Sequence, residues 1–259
     1  MILSRRVALN GQSLDELYGR IVIRGIDFGA PDENIQAVSR MGRFGQRIIG
    51  DRYEKMEVNV RWAMDVPKTD LITRRRIYED VCQWALQAGW MTVNFLPDRR
   101  LYVDRAIIKA PGDIREWTEE YTITFMAYSV PFWQDSIPSE ITRTSYSGGN
   151  LTLLVRGQYT TVAEVEFKNT SGNTLDSFSI TAGGSTISLS SLGLPDGKIL
   201  KIFHEDNGLL RITADGTSAL SKRSGSSADD LYVNPGNVAV TITTERSGDL
   251  ALRCFGRYA

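Results

Sequence analysis

His204 is the one histidine in the chain, so any centre built from two or three imidazoles is excluded. It stands before Glu205 and Asp206, where a hairpin apex is expected, and reads as part of an exposed turn. Three consecutive turn residues do not converge as metal ligands. No G-x-S-x-G elbow is present to pair a serine nucleophile with that imidazole. Glu164 and Glu166 come nearest to the paired carboxylates of glycoside hydrolysis. They alternate with Ala163, Val165 and Phe167, and so read as the wet face of a strand. The series Gly42-x-x-Gly45-x-x-x-x-Gly50 lacks the Lys-Ser or Lys-Thr of a phosphate loop. Cys82 and Cys254, the two cysteines, fall in an expected helix and a late strand and read as reduced, structural thiols. No catalytic group, cofactor or metal is therefore expected.

Two sets of residues could serve recognition instead. Arg40, Arg43, Arg47 and Arg52, with Phe44 among them, make the stretch from Gly29 to Arg52 locally basic, while glycines and Pro31 break its periodicity. So long an irregular segment is uncommon unless it reaches beyond its own domain. It is expected to be an arm laid across a neighbouring subunit, its arginines pairing carboxylates there. The second set is Tyr159, Tyr232 and His204, candidates for stacking on and hydrogen bonding to a sugar. They are far apart in sequence, and packing at strand edges is the competing account. Arg74 to Arg76 read as a solvated helix face.

The elements that must position these groups fall into two runs. In the first, Met56, Val58, Val60 and Trp62 alternate with polar residues, as do Tyr121, Ile123, Phe125 and Ala127 in a strand entered at Trp117. Ile21 to Phe28, Trp90 to Phe95 and Leu101 to Ile108 are further strands, with Pro97-Asp98-Arg99-Arg100 as a turn and Pro111-Gly112 as the next reversal. A helix is expected from a cap at Thr69 or Asp70 to Ala88, stopped by Gly89. Its buried stripe is Ile77, Tyr78, Val81, Cys82, Ala85 and Ala88. Pro131, Phe132 and Trp133 then form a proline-aromatic corner whose rings need a surface to lie against. This part, residues 1–137, is α+β, with one helix on an antiparallel sheet.

Residues 138–259 are rich in Ser, Thr and Gly and show no helical period. Short alternating runs at Leu151–Val155, Ala163–Phe167, Phe178–Ala182, Ile187–Leu189, Ile199–Phe203, Leu209–Thr213, Val238–Ile242 and Leu250–Phe255 predict an antiparallel sandwich of jelly-roll or galectin-like type. Asn207-Gly208 marks a hairpin between two of them.

A length of 259 residues allows two domains, and 42% apolar with 24% charged residues are globular values. The formal charge of -1 offers no general pull on nucleic acid or anionic membrane. No apolar run approaches the roughly 20 residues that span a bilayer. The opening MILSRRVALN has no apolar stretch after its arginines and does not read as a secretion signal. Synthesis and folding in a cytoplasm are expected.

The closing strand Phe125 to Trp133, with Pro131-Phe132-Trp133 at its end, resembles the F-x-x-x-x-x-P-[FY]-[WF] pattern of the distal tail proteins of long-tailed phages. The opening Asn10–Gly19, the run Gly42–Ile48, Pro235-Gly236-Asn237 and the basic-aromatic terminus Arg253–Tyr258 add to the likeness. The resemblance implies a ring, hexameric in that family, built from N-terminal domains with the C-terminal sandwiches outside. It implies contact with the tail tube protein on one side and a tail-associated or baseplate protein on the other, at the virion tail tip. A rival from another class is a carbohydrate-binding module that holds a cell-surface glycan through residues 138–259.

Overall fold

The computed structural model describes residues 5–17, 20–39, 46–109 and 120–259. Arg40, Arg43, Phe44, Trp117 and Pro111-Gly112 lie outside them. The fold is mainly β, and its contacts divide it into two compact units, Met1–Trp133 with Ala259 and Gln134–Tyr258.

The first unit carries β1 (Val7–Leu9), β2 (Gln12–Ser13), α1 (Leu14–Leu17), β3 (Ile21–Phe28), β4 (Glu33–Ser39), β5 (Gln46–Tyr53), β6 (Met56–Met64) and α2 (Leu71–Ala85). β7 (Gly89–Val93), β8 (Leu96–Val103), β9 (Arg105–Ile108) and β10 (Tyr121–Ala127) follow, and β11 (Trp133–Asp135) crosses the boundary. A four-stranded antiparallel sheet in the order β3-β6-β10-β9 is its centre. Phe125 pairs with Val58 and Tyr121 with Trp62, so the alternating apolar residues of the two central strands share one face. All of Met56, Val58, Val60, Trp62, Ile123, Phe125 and Ala127 are completely buried. Trp62 and Tyr121 stack with centroids 4.6 Å apart.

Helix α2 begins as expected, with the Asp70 carboxylate accepting from Thr73 N at 3.1 Å. It ends at Ala85 rather than Ala88, and its buried stripe is Arg74, Ile77, Val81, Trp84 and Ala85. Tyr78 and Cys82 are half-buried at the margin of that stripe. Trp84 meets Phe125 edge-on at 5.8 Å and donates its indole N–H to Gln12 O. Gly89 is not the helix stop. It opens β7, where Asn10 spans the chain by donating to Ala88 O and accepting from Trp90 N. A Cβ at position 89 would stand 1.8 Å from Asn10 Oδ1, and that close approach is what requires glycine.

Two expected boundaries move. The β7–β8 turn is Asn94-Phe95, so Pro97 and Asp98 lie inside β8. The single strand expected over Leu101–Ile108 is broken at Asp104, after which β9 joins a different sheet. The Asp104 carboxylate is spent on the corner after β10, accepting from Tyr128 N at 2.6 Å and Ser129 N at 2.9 Å.

In the second unit β12 (Ser139–Tyr146), β22 (Gly248–Cys254), β14 (Thr161–Asn169), β17 (Ile199–His204), β18 (Leu210–Ala214) and β19 (Thr217–Ser218) lie side by side in that order. β20 (Tyr232–Val233) pairs with β14. A four-stranded sheet runs β13 (Gly149–Val155), β21 (Gly236–Thr244), β15 (Phe178–Ala182), β16 (Ser185–Leu189). One apolar cluster draws on both sheets, with Leu153, Ile180, Val240 and Ile242 from the smaller and Val165, Phe167, Leu200, Ile202 and Leu252 from the larger. Phe167 and Phe178 meet at 5.3 Å. This is an antiparallel sandwich. At the β17–β18 hairpin only Gly208 of the Asn207-Gly208 pair takes a positive φ, +78°. A short strand β23 (Arg257–Tyr258) ends the chain.

Candidate functional site

The stretch read as an irregular arm is a hairpin. β4 and β5 pair with each other in a two-stranded sheet of their own, from Glu33↔Tyr53 to Ser39↔Gln46, with a register shift at Gln36/Ala37. Arg47 and Arg52 are on β5. The hairpin has a closed base. Asp32 N donates to Lys55 O and Glu54 N to Asp32 O, while the Asn34 amide donates to the Glu54 carboxylate at 2.6 Å. Lys55 lies 2.6 Å from Glu57 and 3.7 Å from Asp32, and its hydrogen bond to Glu57 holds its pKa above the ordinary lysine value.

The proline-aromatic corner is what this base rests on. Tyr53, the last residue of β5, meets Phe132 edge-on at 5.0 Å. Trp133 meets Phe28 at 5.3 Å, and Phe28 meets Phe95 at 5.4 Å. Phe132 and Trp133 are buried. The surface these rings needed is thus the foot of the hairpin and the end of β3. Those partners have no sequence signal beyond being aromatic and near turns.

In the second unit the structure brings together residues that sequence spacing does not. His204 is not exposed at a turn: it ends β17, half-buried with its side chain 8% exposed, and the turn begins only at Glu205. Its Nε2 lies 2.9 Å from both carboxylate oxygens of Asp230. Glu164, on the neighbouring β14, accepts from His204 N at 3.0 Å and stands 3.5 Å from Nδ1, which it does not meet in hydrogen-bond alignment. Burial disfavours the imidazolium, but the hydrogen bond to Asp230 and the charges of Asp230 and Glu164 outweigh it and push the pKa up to about 9. Arg257 faces the same group from the end of the chain. It donates to Thr160 O, and burial lowers its pKa while Asp230 opposes that effect.

Tyr232 is half exposed, two residues past Asp230, and Tyr159 is half-buried where its backbone N–H meets Arg257 O. Glu164 and Glu166 point to the outer face, as their alternation predicts. A shallow depression of about 270 Å³ there is lined by Glu164, Glu166, Lys201, Phe203 and Arg253. Its charges are paired, Lys201 with Glu166 at 3.0 Å and Arg253 with Glu140 at 2.6 Å. Cys82 and Cys254 are both free, and burial pushes the Cys254 thiol up to about 11. Among the described residues no cluster of three acidic, histidine or cysteine side chains is arranged to hold a metal ion, and no helix is long and apolar enough to cross a membrane.

No protein-family model matches the chain, and no curated protein does. Solved structures do. The SPP1 Dit (gp 19.1) protein, described as a paradigm of the hub adsorption apparatus in phages infecting Gram-positive hosts, aligns with a TM-score of 0.68 at 12% identity, covering 98% of this chain and 99% of its own. A chain of the phage P2 baseplate in its activated conformation with Ca aligns with a TM-score of 0.53 at 8% identity, covering 99% of this chain and 98% of its own. These likenesses show a shared fold along nearly the whole length. This chain has the fold of the distal tail, or Dit, protein of SPP1.

Proposed function

We propose that this chain is a structural component of a phage or prophage tail tip, closing into a ring, six-membered by analogy, that joins the tail tube to a baseplate or tail-associated protein. The observation that carries the reading is the end-to-end likeness to a hub protein. Two features of the first unit support self-association. Among the described residues β3 and β9, at opposite edges of the central sheet, pair with no further strand, and open edges of one sheet are templates for each other in neighbouring copies. Two different edges meeting head to tail produce a closed ring when the rotation closes. The basic hairpin β4–β5 then clasps the adjacent copy, where Arg40, Arg43, Phe44, Arg47 and Arg52 supply the contacts. Such a role asks for no reacting group, and the chain acts by binding rather than catalysis.

Native mass spectrometry and negative-stain microscopy of the full chain test this. A closed ring is expected. Replacing residues 35–51 with a short Gly-Ser turn is expected to leave the thermal unfolding midpoint unchanged and the species monomeric, because among the described residues β4 and β5 pair only with each other. A full chain that stays monomeric at high concentration, alone and with the tube protein, overturns the reading.

A further inference from the structure

From Leu220 to Val233 the chain leaves the main strands of the sandwich and passes from the smaller sheet to the larger. Its first half runs beside β16: Ser190 N donates to Lys222 O at 3.0 Å, Ser224 N to Ser188 O at 2.9 Å and Ala228 N to Thr186 O at 2.7 Å. Ser188 N donates to the Ser227 hydroxyl at 3.0 Å. The edge of the four-stranded sheet is thereby covered, as an exposed strand edge needs to be. The second half joins the larger sheet, with Ala163 N donating to Leu231 O and β20 paired with β14. Leu231 and Val233 are fully buried there.

Between these anchors residues 222–230 read Lys-Arg-Ser-Gly-Ser-Ser-Ala-Asp-Asp. The apolar surface in that stretch is limited to Ala228 and the stems of Lys222 and Arg223, of which Arg223 is 28% exposed, so hydrophobic burial contributes little to holding it closed. Polar contacts do, and the charged one that ties it to the sheet is Asp230 on His204, with both His204–carboxylate distances at 2.9 Å. The groups facing His204 from the surrounding elements are Glu164 on β14 and Asp230 on the strap, with Arg257 of β23 behind Asp230. Its chain neighbour Glu205 is engaged by Arg211 at 2.8 Å. Two positive and two negative charges thus balance in a half-dry setting, where removing one leaves its partner uncompensated.

We propose that the His204–Asp230 pair is a latch: it holds residues 222–230 closed over the β16 edge, and loss of the imidazolium charge frees that strap as a local unit while the sandwich stays folded. This property is independent of ring formation. A region held by polar contacts and little apolar burial is the kind that opens locally, below the free energy of global unfolding.

Amide hydrogen exchange on the full chain, read residue by residue, tests it. His204→Gln, which keeps a polar side chain and removes the charge, and Asp230→Asn are each expected to speed exchange at Ser188, Ser190, Ser224 and Ala228 by about tenfold or more, leaving Ile180 and Val240 at wild-type rates. Raising the pH of the wild type from 7 to 10, with rates corrected for base catalysis, is expected to lose protection at the same four amides. The His204→Gln chain is expected to show no further loss. Unchanged exchange in both variants overturns the latch. So does a rise shared equally by Ile180 and Val240, which marks global destabilisation, and so does a pH response identical in wild type and His204→Gln.

Discussion

His204 and Arg74 are charged groups on elements whose pattern suggests an exposed position, yet Arg74 is buried and His204 half-buried, because a partner waits for each. His204 has a folded pKa of about 9 against an ordinary value of 6.5. Its raised pKa means that its contribution to stability is fully present below about pH 6.5 and is lost as the pH rises through about 9. The latch places that loss, at most about 3 kcal/mol, on the opening of residues 222–230, so amide protection there is expected to fall between pH 7 and 10 while the urea midpoint of the sandwich moves little, and to stay level over the same range in His204→Gln. Arg74 is 3% exposed and donates to Val66 O at 2.9 Å, with Tyr121 Oη at 3.5 Å. Arg74→Ala removes the donor from a buried carbonyl and is expected to cost about 2–3 kcal/mol in chemical denaturation. Arg75→Ala removes only an exposed pair with Glu79, about 0.3–0.5 kcal/mol. Neither burial was legible in the sequence. A three-arginine run states helix-face periodicity but not which arginine meets an orphan carbonyl, and Asp230 is 26 residues from the histidine it holds.

At the scale of elements, legibility followed one-sided burial. β6 and β10 were plain because apolar residues alternate along each and enter one core, although β10 is buried at consecutive positions from Ile123 to Ala127, and the helix start was legible as Thr69 or Asp70, of which Asp70 is the cap. The β4–β5 hairpin was not, since strands that pair only with each other, with a bulge at Gln36/Ala37 and Gly50 inside β5, carry no period-2 signal. β12 escaped for a related reason: it is an edge strand in which only Ser139 is buried. The proline-aromatic corner was legible as rings needing a surface, but not which surface. That surface makes the corner a hinge support for the hairpin, and two substitutions separate packing from support. Phe132→Ala empties a buried site and is expected to cost about 3–5 kcal/mol in unfolding of the first unit. Tyr53→Ala, at a position 37% exposed, loses an edge-to-face contact worth about 0.5–1.5 kcal/mol beyond burial. It is expected to speed amide exchange at Glu54 and Asp32 more than it lowers the denaturation midpoint. Equal effects of both substitutions on midpoint and on those amides would show that the hairpin base does not depend on the corner.

For the molecule as a whole, the apolar core of the second unit closes on itself: its cluster runs from Leu153 to Cys254 without a residue of the first. The surfaces argued to make the ring, the β3 and β9 edges and the hairpin, all belong to Met1–Trp133. Self-association should therefore be a property of one unit, and the other should be a passenger in it. A chain of residues 134–259 is expected to remain a folded monomer at any workable concentration, with the full chain forming rings under the same buffer. Shortening the hairpin in the full chain should reproduce the monomer, and raising the salt should weaken rings that depend on arginine–carboxylate contacts, whose attraction is screened over about 8–10 Å at physiological ionic strength. Sedimentation velocity distinguishes the outcomes. Rings formed by residues 134–259 alone would move the interface to the sandwich. Rings indifferent to both salt and the hairpin would leave the paired sheet edges as the whole of the contact.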